Sequence, residues 1–303
     1  MNLKRATFGP LLSVAFLLAF VYMIIGVQKV LEKPDEELFL GSISSNTQSV
    51  VTKNVVVEQP IVKLDLNAES AISVETNLKD KSKIIFEKKS NAILPIASLT
   101  KLMTAIIVLD NYNLSDITKI KKIVNIQDPE IKDVKLGDTM SVEDFLNIML
   151  VGSSNSSAYA LSEMIGQEKF VELMNQKAKG LGLQNTFFKD STGLSSENVS
   201  TVVDIAEITG YVLNNYPEIA EITTKKEIYL PSFGTFENTD KLLQEVPEIV
   251  CGKTGITAQA KGCLVLAVKN PKNNDFIINV ILGSDDRFSE MEKLINWSNT
   301  ICK

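Results

Sequence analysis

Period-two alternation of apolar and polar residues marks two stretches early in this chain, Ala71-Ile72-Ser73-Val74 and Lys83-Ile84-Ile85-Phe86, joined by the polar turn Asn77-Leu78-Lys79-Asp80. After Pro247 the pattern returns three times, at Ile249 to Gly255, Cys263 to Val268 and Phe276 to Leu282. The stretch between is helical in its spacing: Leu102, Ala105, Ile106 and Leu109, then Phe145, Ile148 and Met149, then the runs Ala158 to Ile165, Phe170 to Lys179 and Thr201 to Asn214. Two early strands and three late ones fit one antiparallel sheet, closed by a last helix from about Glu290 to Ile301. The expected architecture is an α/β domain: a five-stranded antiparallel sheet flanked by helices, an all-helical lobe from the middle of the chain, and a cleft between them where a site would lie.

The helical stretches carry their own punctuation. Pro95 ends extended chain ahead of a helix starting near Ser98. Leu136-Gly137-Asp138 makes a turn, and Ser141 with Asp144 three residues later reads as a capping box. That helix stops at Gly152, which leaves Ser153-Ser154-Asn155 as a loop facing whatever the two helices frame.

In Pro95-Ile96-Ala97-Ser98-Leu99-Thr100-Lys101, a helix starting near Ser98 puts Lys101 one turn along on the same face, so its amine can lie beside the serine hydroxyl. The chain contains no histidine. A Ser-His-Asp triad is therefore impossible, and a lysine base is the main alternative for activating a serine. Alone, Ser-x-x-Lys is expected about once or twice by chance, and its ordinary reading is an N-cap serine followed by a solvated lysine. Ser153-Ser154-Asn155 and Lys253-Thr254-Gly255 change that weighing, because they follow in the order and separation of serine acyl-enzymes that use a lysine base.

The chain has 303 residues, 45% of them hydrophobic, enough for a substantial core as one large or two small domains. A net charge of -6, with no basic cluster interleaved with aromatics, argues against nucleic-acid binding. Cys251, Cys263 and Cys302 match no zinc spacing, and without histidine neither a metal site nor a cofactor is expected. Cys251 and Cys263 flank Lys253-Thr254-Gly255 on two hairpin arms; the choice there is between a cross-strand disulfide and two buried free thiols.

Near the N-terminus, Lys4 and Arg5 precede an uncharged run from Pro10 to Val27, about 18 residues, nearly enough as a helix to span a bilayer core. Its end, Ile24-Ile25-Gly26-Val27-Gln28, lacks the small-x-small site of a cleaved signal peptide, so the run reads as an uncleaved anchor. Lys4 and Arg5 are matched by Lys29 and Lys33, and charge alone leaves the orientation open. Residues 28–60 are charged, then rich in Ser, Thr and Asn, and read as a tether, with Val50-Val51 and Val55-Val56-Val57 as a conceivable extra strand. The division expected is a tail at 1–9, a transmembrane anchor at 10–27, a linker at 28–60 and a catalytic domain at 61–303.

With these motifs in place, the chain resembles the serine-type D-alanyl-D-alanine carboxypeptidases, the low-molecular-mass penicillin-binding proteins, over roughly Ile61 to Lys303. The likeness extends beyond the catalytic motifs to Leu136-Gly137-Asp138, Phe170-Val171-Glu172-Leu173-Met174-Asn175, Leu181-Gly182-Leu183-Gln184-Asn185-Thr186, Ser200-Thr201 with Asp204, and Lys253-Thr254-Gly255-Ile256-Thr257. It implies a β-lactamase/transpeptidase-like fold and a single-pass cell-membrane protein with its catalytic domain outside the cytoplasm. The partners it implies are peptidoglycan stem peptides ending in D-Ala-D-Ala, with β-lactams as inhibitors. By the same resemblance Ser98 attacks the penultimate D-alanine carbonyl, Lys101 is the neutral base and Ser153 relays the proton to the leaving amine. Asn155 holds a substrate amide, Lys253 and Thr254 bind the terminal carboxylate, and Gly255 lets substrate backbone lie against its strand. The oxyanion hole is the backbone N–H pair of Ser98 and Ile256. A neutral lysine near pH 7 demands a fall from ~10.4, about 4 kcal/mol, which burial and the charge of Lys253 favour.

The family's usual Ser-x-Asn-Asp-Ala is here followed differently, with Ser156 and Ser157 after Asn155, so an acidic neighbour of the loop is missing. The ordinary readings are that Ser153 and Asn155 cap the following helix and that Lys253 is a solvated strand lysine. Gly252-Lys253-Thr254 imitates a phosphate-binding loop, but Pro247 stands where that pattern needs glycine. A class A β-lactamase is a rival, since Glu143-Asp144-Phe145-Leu146-Asn147 imitates its Glu-x-x-Leu-Asn element; it precedes Ser153 instead of following it, so Glu143 reads as first-turn helix charge. Two more rivals share the motifs: a D,D-endopeptidase, which uses the same catalytic groups, and a non-catalytic penicillin-binding sensor. The loop from Phe187 to Ser196 is a candidate cover for the cleft.

Overall fold

In the computed structural model, which describes residues 63–77, 82–124, 133–270, 272–273 and 275–302, strands from both ends of the domain join in one antiparallel sheet. The apolar run 10–27, the tether 28–60 with its valine pairs, and turn residues 78–80 lie outside the described residues. The early strands are β1 (Ser70–Thr76) and β2 (Lys83–Lys88). A short β3 (Leu94–Pro95) leads through a single 3-10 turn, Ala97–Leu99, into α1 (Thr100–Asn111). The lobe follows with β4 (Ile117–Lys119), β5 (Thr139–Ser141), α2 (Val142–Val151), α3 (Asn155–Glu163), α4 (Gln167–Gly180), β6 (Val199–Ser200), α5 (Val202–Asn215) and α6 (Pro217–Thr223). A hairpin of β7 (Glu227–Leu230) and β8 (Gly234–Glu237), then a 3-10 turn at Lys241–Gln244, lead back to β9 (Ile249–Thr257), β10 (Lys261–Lys269), β11 (Phe276–Ser284) and α7 (Arg287–Ile301).

The sheet order is β2-β1-β11-β10-β9, so β9 is an edge strand. The middle of the chain is mainly helical and not all-helical: β3 pairs with β6, β4 with β5 and β7 with β8 in two-stranded ribbons. These strands are two to four residues long, too short to leave a period in the sequence.

Alternation gives the sheet two apolar faces. Leu264, Leu266 and Val268 of β10 and Ile277 and Ile281 of β11 pack with Met291, Leu294 and Ile295 of α7. Cys263, Val265 and Ala267 with Ile278, Val280 and Leu282 face the lobe and its helix α1. Each buried Leu, Ile, Val or Met side chain among these contributes about 1.5–3 kcal/mol on burial. A β-bulge resets β9: Ala267 pairs with Cys251 and Val268 with Ile249, skipping Val250. Ile249 therefore packs on the α7 face while Cys251 packs towards the lobe, and Lys253 and Gly255 follow Cys251 in phase. The cysteines are all free and buried, and burial pushes the Cys251 thiol up to about 11 and that of Cys263 to about 12. Cys251 lies opposite Ala267 and Cys263 opposite Gly255, so the two are out of register for a cross-strand bridge.

α1 is buried from Thr100 to Val108, as a helix running through the middle of the core must be. Around it, α2 starts at Ser141, whose Oγ accepts from Asp144 N–H at 3.0 Å and donates to the Asp144 carboxylate at 2.7 Å, so the capping pair is formed. Glu143 lies in that first turn. α3 begins earlier than its apolar run indicates, at Asn155, with Ser154 as N-cap accepting from Ser157 N–H at 3.0 Å.

Candidate active site

The 3-10 turn holding Ser98 ends where α1 begins, so Lys101 stands on the first turn of a buried helix beside it. Lys101 is fully buried, and its Nζ contacts Ser98 Oγ at 2.8 Å, Asn155 Oδ1 at 2.7 Å and the Thr192 carbonyl at 2.7 Å. A carbonyl oxygen and an amide oxygen only accept, so those two take two N–H bonds. In the neutral amine the lone pair is then left for the Ser98 hydroxyl, which is the geometry of a base. Burial first, and the charge of Lys253 second, hold the Lys101 amine well below its ordinary range, against the smaller pull of Asp190 and Asp133.

Lys253 is not a solvated strand lysine. It is 2% exposed, and its Nζ donates to Ser153 Oγ at 2.9 Å and to the Thr254 carbonyl at 3.1 Å. Burial brings it down to about 7, opposed by Asp240 and assisted by Arg287. Ser153, at φ +57, fills the corner between α2 and α3 with a left-handed backbone, which turns its hydroxyl to Lys253. Neither Ser153 nor Asn155 caps α3, because Ser154 does. Thr254 Oγ1 lies 2.6 Å from Thr239 Oγ1.

β9 runs directly past the nucleophile. A Cβ placed on Gly255 would lie 3.0 Å from the Ser98 nitrogen and 3.1 Å from the Ile96 oxygen, so only glycine lets the strand approach this closely. Ile256 beyond it is half exposed. A cleft of about 1300 Å³ opens here, lined by Ser98, Ser153, Asn155, Thr254, Gly255 and Ile256 among others. Every residue expected to carry chemistry thus lies at this cleft or directly beneath it.

Several participants left little trace in the sequence. Thr192 contributes a backbone oxygen, and its loop is locked by Asp190, whose carboxylate accepts from Thr192, Gly193 and Ser195 N–H at 2.7–2.8 Å. Burial alone would raise Asp190, but these bonds and that from the Thr192 hydroxyl outweigh it and its pKa is lowered. Gly193, at φ +88, lies so close to the turn that a Cβ would sit 2.0 Å from the Ala97 carbonyl oxygen. Leu194 of the same loop reaches the cleft. Asp133, from outside the Ser153-Ser154-Asn155 segment, accepts from the Ser154 hydroxyl and so supplies an acidic neighbour to that loop. Asp240 and Arg287 also line the cleft.

A serine with a buried lysine base, set between a five-stranded sheet and a mainly helical lobe, places the chain in the penicillin-binding-protein class of serine acyl-enzymes. The fold is similar to the solved penicillin-binding protein D2 from Listeria monocytogenes in its cefotaxime-bound form, with a TM-score of 0.69 and 27% identity over 79% of this chain and 99% of that one. A D-alanyl-D-alanine endopeptidase of Escherichia coli is 33% identical over 78% of each chain. The D-alanyl-D-alanine carboxypeptidase DacF of Bacillus subtilis is 32% identical over 76% of this chain and 62% of its own length. Residues 53–286 match the D-alanyl-D-alanine carboxypeptidase family of serine peptidases, and the chain belongs to that family.

Proposed function

We propose that this protein removes the terminal D-alanine from peptidoglycan stem peptides through an acyl-enzyme on Ser98, and that penicillins acylate the same serine. The observation that carries the reading is the Lys101 amine, buried and bonded to two obligate acceptors with Ser98 Oγ as its third partner. Lys101 takes the Ser98 proton as the hydroxyl attacks the penultimate D-alanine carbonyl, and the backbone N–H groups of Ser98 and Ile256 stabilise the oxyanion. Ser153, held by Lys253, passes a proton to the departing amine. Asn155 binds a substrate amide, and protonated Lys253 with Thr254 receives the terminal carboxylate. The edge of β9 at Gly255 takes the substrate backbone as an added strand. Water then releases the truncated peptide from the ester.

A second reading is endopeptidase action on D-alanyl cross-links, favoured by the likeness to the E. coli endopeptidase over equal shares of both chains. In our reading residues 10–27 anchor the protein in the cell membrane and residues 28–60 tether an extracytoplasmic catalytic domain beginning near residue 61. The test of the chemistry is to treat the full chain with a fluorescent penicillin and map the adduct by mass spectrometry. Labelling at Ser98 supports the reading; labelling elsewhere, or none, refutes it.

A further inference from the structure

Ser153 and Asn155 are joined by Ser154, and the corner they form is held against its own preference. Ser153 at φ +57 takes a left-handed backbone that a serine keeps only where its surroundings impose it. Within the helices, Gly152 N–H closes α2 on the Ile148 carbonyl at 3.0 Å, and Ser154 Oγ caps α3 at Ser157 N–H. A further hold comes from the chain between β4 and β5. The Ser154 hydroxyl donates to Asp133 Oδ1, which also accepts from Val134 N–H at 2.8 Å. Val134 is 4% exposed and belongs to the core, so this carboxylate stands on a fixed base. On the other side of Asn155, Ser156 Oγ accepts from Val124 N–H at 3.1 Å. Asn155, whose Oδ1 accepts from Lys101, is thereby bracketed by two serines tied to the chain between β4 and β5.

We propose that Asp133 is a positioning residue for acylation: through the Ser154 hydroxyl it sets Ser153 where the proton relay needs it and Asn155 where the substrate amide needs it. This deepens the functional reading above and rests on it. A hydroxyl donating to a carboxylate makes a stronger bond than a neutral pair, and here that bond ties the corner to the core. Without it the α3 cap survives, but Ser153 is free to relax from its left-handed backbone, carrying its hydroxyl away from Lys253. Misplacement of a relay by about 1 Å is enough for a loss of about 10²-fold. The charge of Asp133 acts in the opposite sense: it raises Lys101, so losing the charge alone favours the neutral base. Slower acylation after removal of Asp133 therefore reports the lost hold on the corner and not the lost charge.

The experiment measures the second-order rate constant for acylation of the full chain by a fluorescent penicillin, at a temperature where thermal melts show every variant folded. Asp133→Ala removes the acceptor, Asp133→Asn keeps an oxygen in its place, and Ser154→Gly removes the donor while nearly sparing the helix cap. Asp133→Ala and Ser154→Gly are each expected to slow acylation by about 10-fold to 100-fold, with Asp133→Asn recovering most of the rate. In the double variant the second substitution should add less than about twofold, because both remove one and the same bond. Asp133→Ala at the unchanged rate, with or without a lower Tm, overturns the proposal. So do losses that multiply in the double variant, or an Asp133→Asn as slow as Asp133→Ala. If the unchanged protein takes no penicillin at Ser98, the functional reading itself fails and this inference with it.

Discussion

Lys253 Nζ lies 2.9 Å from Ser153 Oγ, joining side chains 100 residues apart across the cleft. The two buried lysines of the site therefore divide the hydroxyls between them, Lys101 beside Ser98 and Lys253 beside Ser153. The charge of Lys253 adds to burial in disfavouring protonation of Lys101. In the proposed mechanism that division separates a neutral base at the nucleophile from a cation at the carboxylate end.

Removing the base tests the first half of this division. Lys101→Ala is expected to slow acylation by about 10²–10⁴-fold, as loss of a general base does. Lys101→Arg should do no better, because a guanidinium stays protonated. A stopped-flow penicillin-binding assay that finds Lys101→Arg near the unchanged rate would rule out the lysine base.

The second half gives a pH dependence with a definite sign. In the proposed mechanism acylation needs Lys253 protonated, and Lys253 is brought down to about 7, so kcat/KM should fall as pH rises through that value. Lys253→Arg keeps the charge at all these pH values and should flatten the alkaline fall, at a lower absolute rate because the geometry differs. An alkaline fall identical in the arginine variant would assign it to another group.

Gly193 is where the Asp190 loop touches the nucleophile turn. A methyl group there meets the Ala97 carbonyl at 2.0 Å with φ at +88, so Gly193→Ala must displace the loop or the turn. The expected cost is at least about 1–3 kcal/mol of stability, with loss of acylation beyond what the drop in Tm explains.

Asp190 provides a stability test in which the sign is fixed. Its folded pKa lies below the usual carboxylate value, so its contribution is present above about pH 4 and lost as pH falls through the lowered value. Asp190→Asn should lower Tm at pH 7, and the gap to the unchanged protein should shrink in acid. Thermal melts from pH 7 to pH 3 that show a constant gap would mean the ionised form is not what the loop binds.

How much was legible in the sequence follows the kind of signal each feature carries. The five long strands and α7 show as alternation and period, and the Ser98, Ser153 and Lys253 motifs as residue types at fixed order. The start of α3 at Asn155 was hidden because its first turn is polar, Asn155-Ser156-Ser157, while apolar periodicity begins only at Ala158. The bulge at Val250, which turns Lys253 to the lobe, is a matter of partner register that one strand alone does not encode. The Thr192 oxygen on Lys101 belongs to the backbone, which has no letter in the sequence. Asp240 stands alone before Leu242 and Leu243, and only the fold brings it to the cleft.

The most direct measurement follows free D-alanine released from a stem pentapeptide by the full chain and by its Ser98→Ala variant. Release by the first and none by the second is the predicted result. If both release nothing while Ser98 still takes up and holds a fluorescent penicillin, trimming of free ends is contradicted, and endopeptidase action or a non-catalytic binding role becomes the better account.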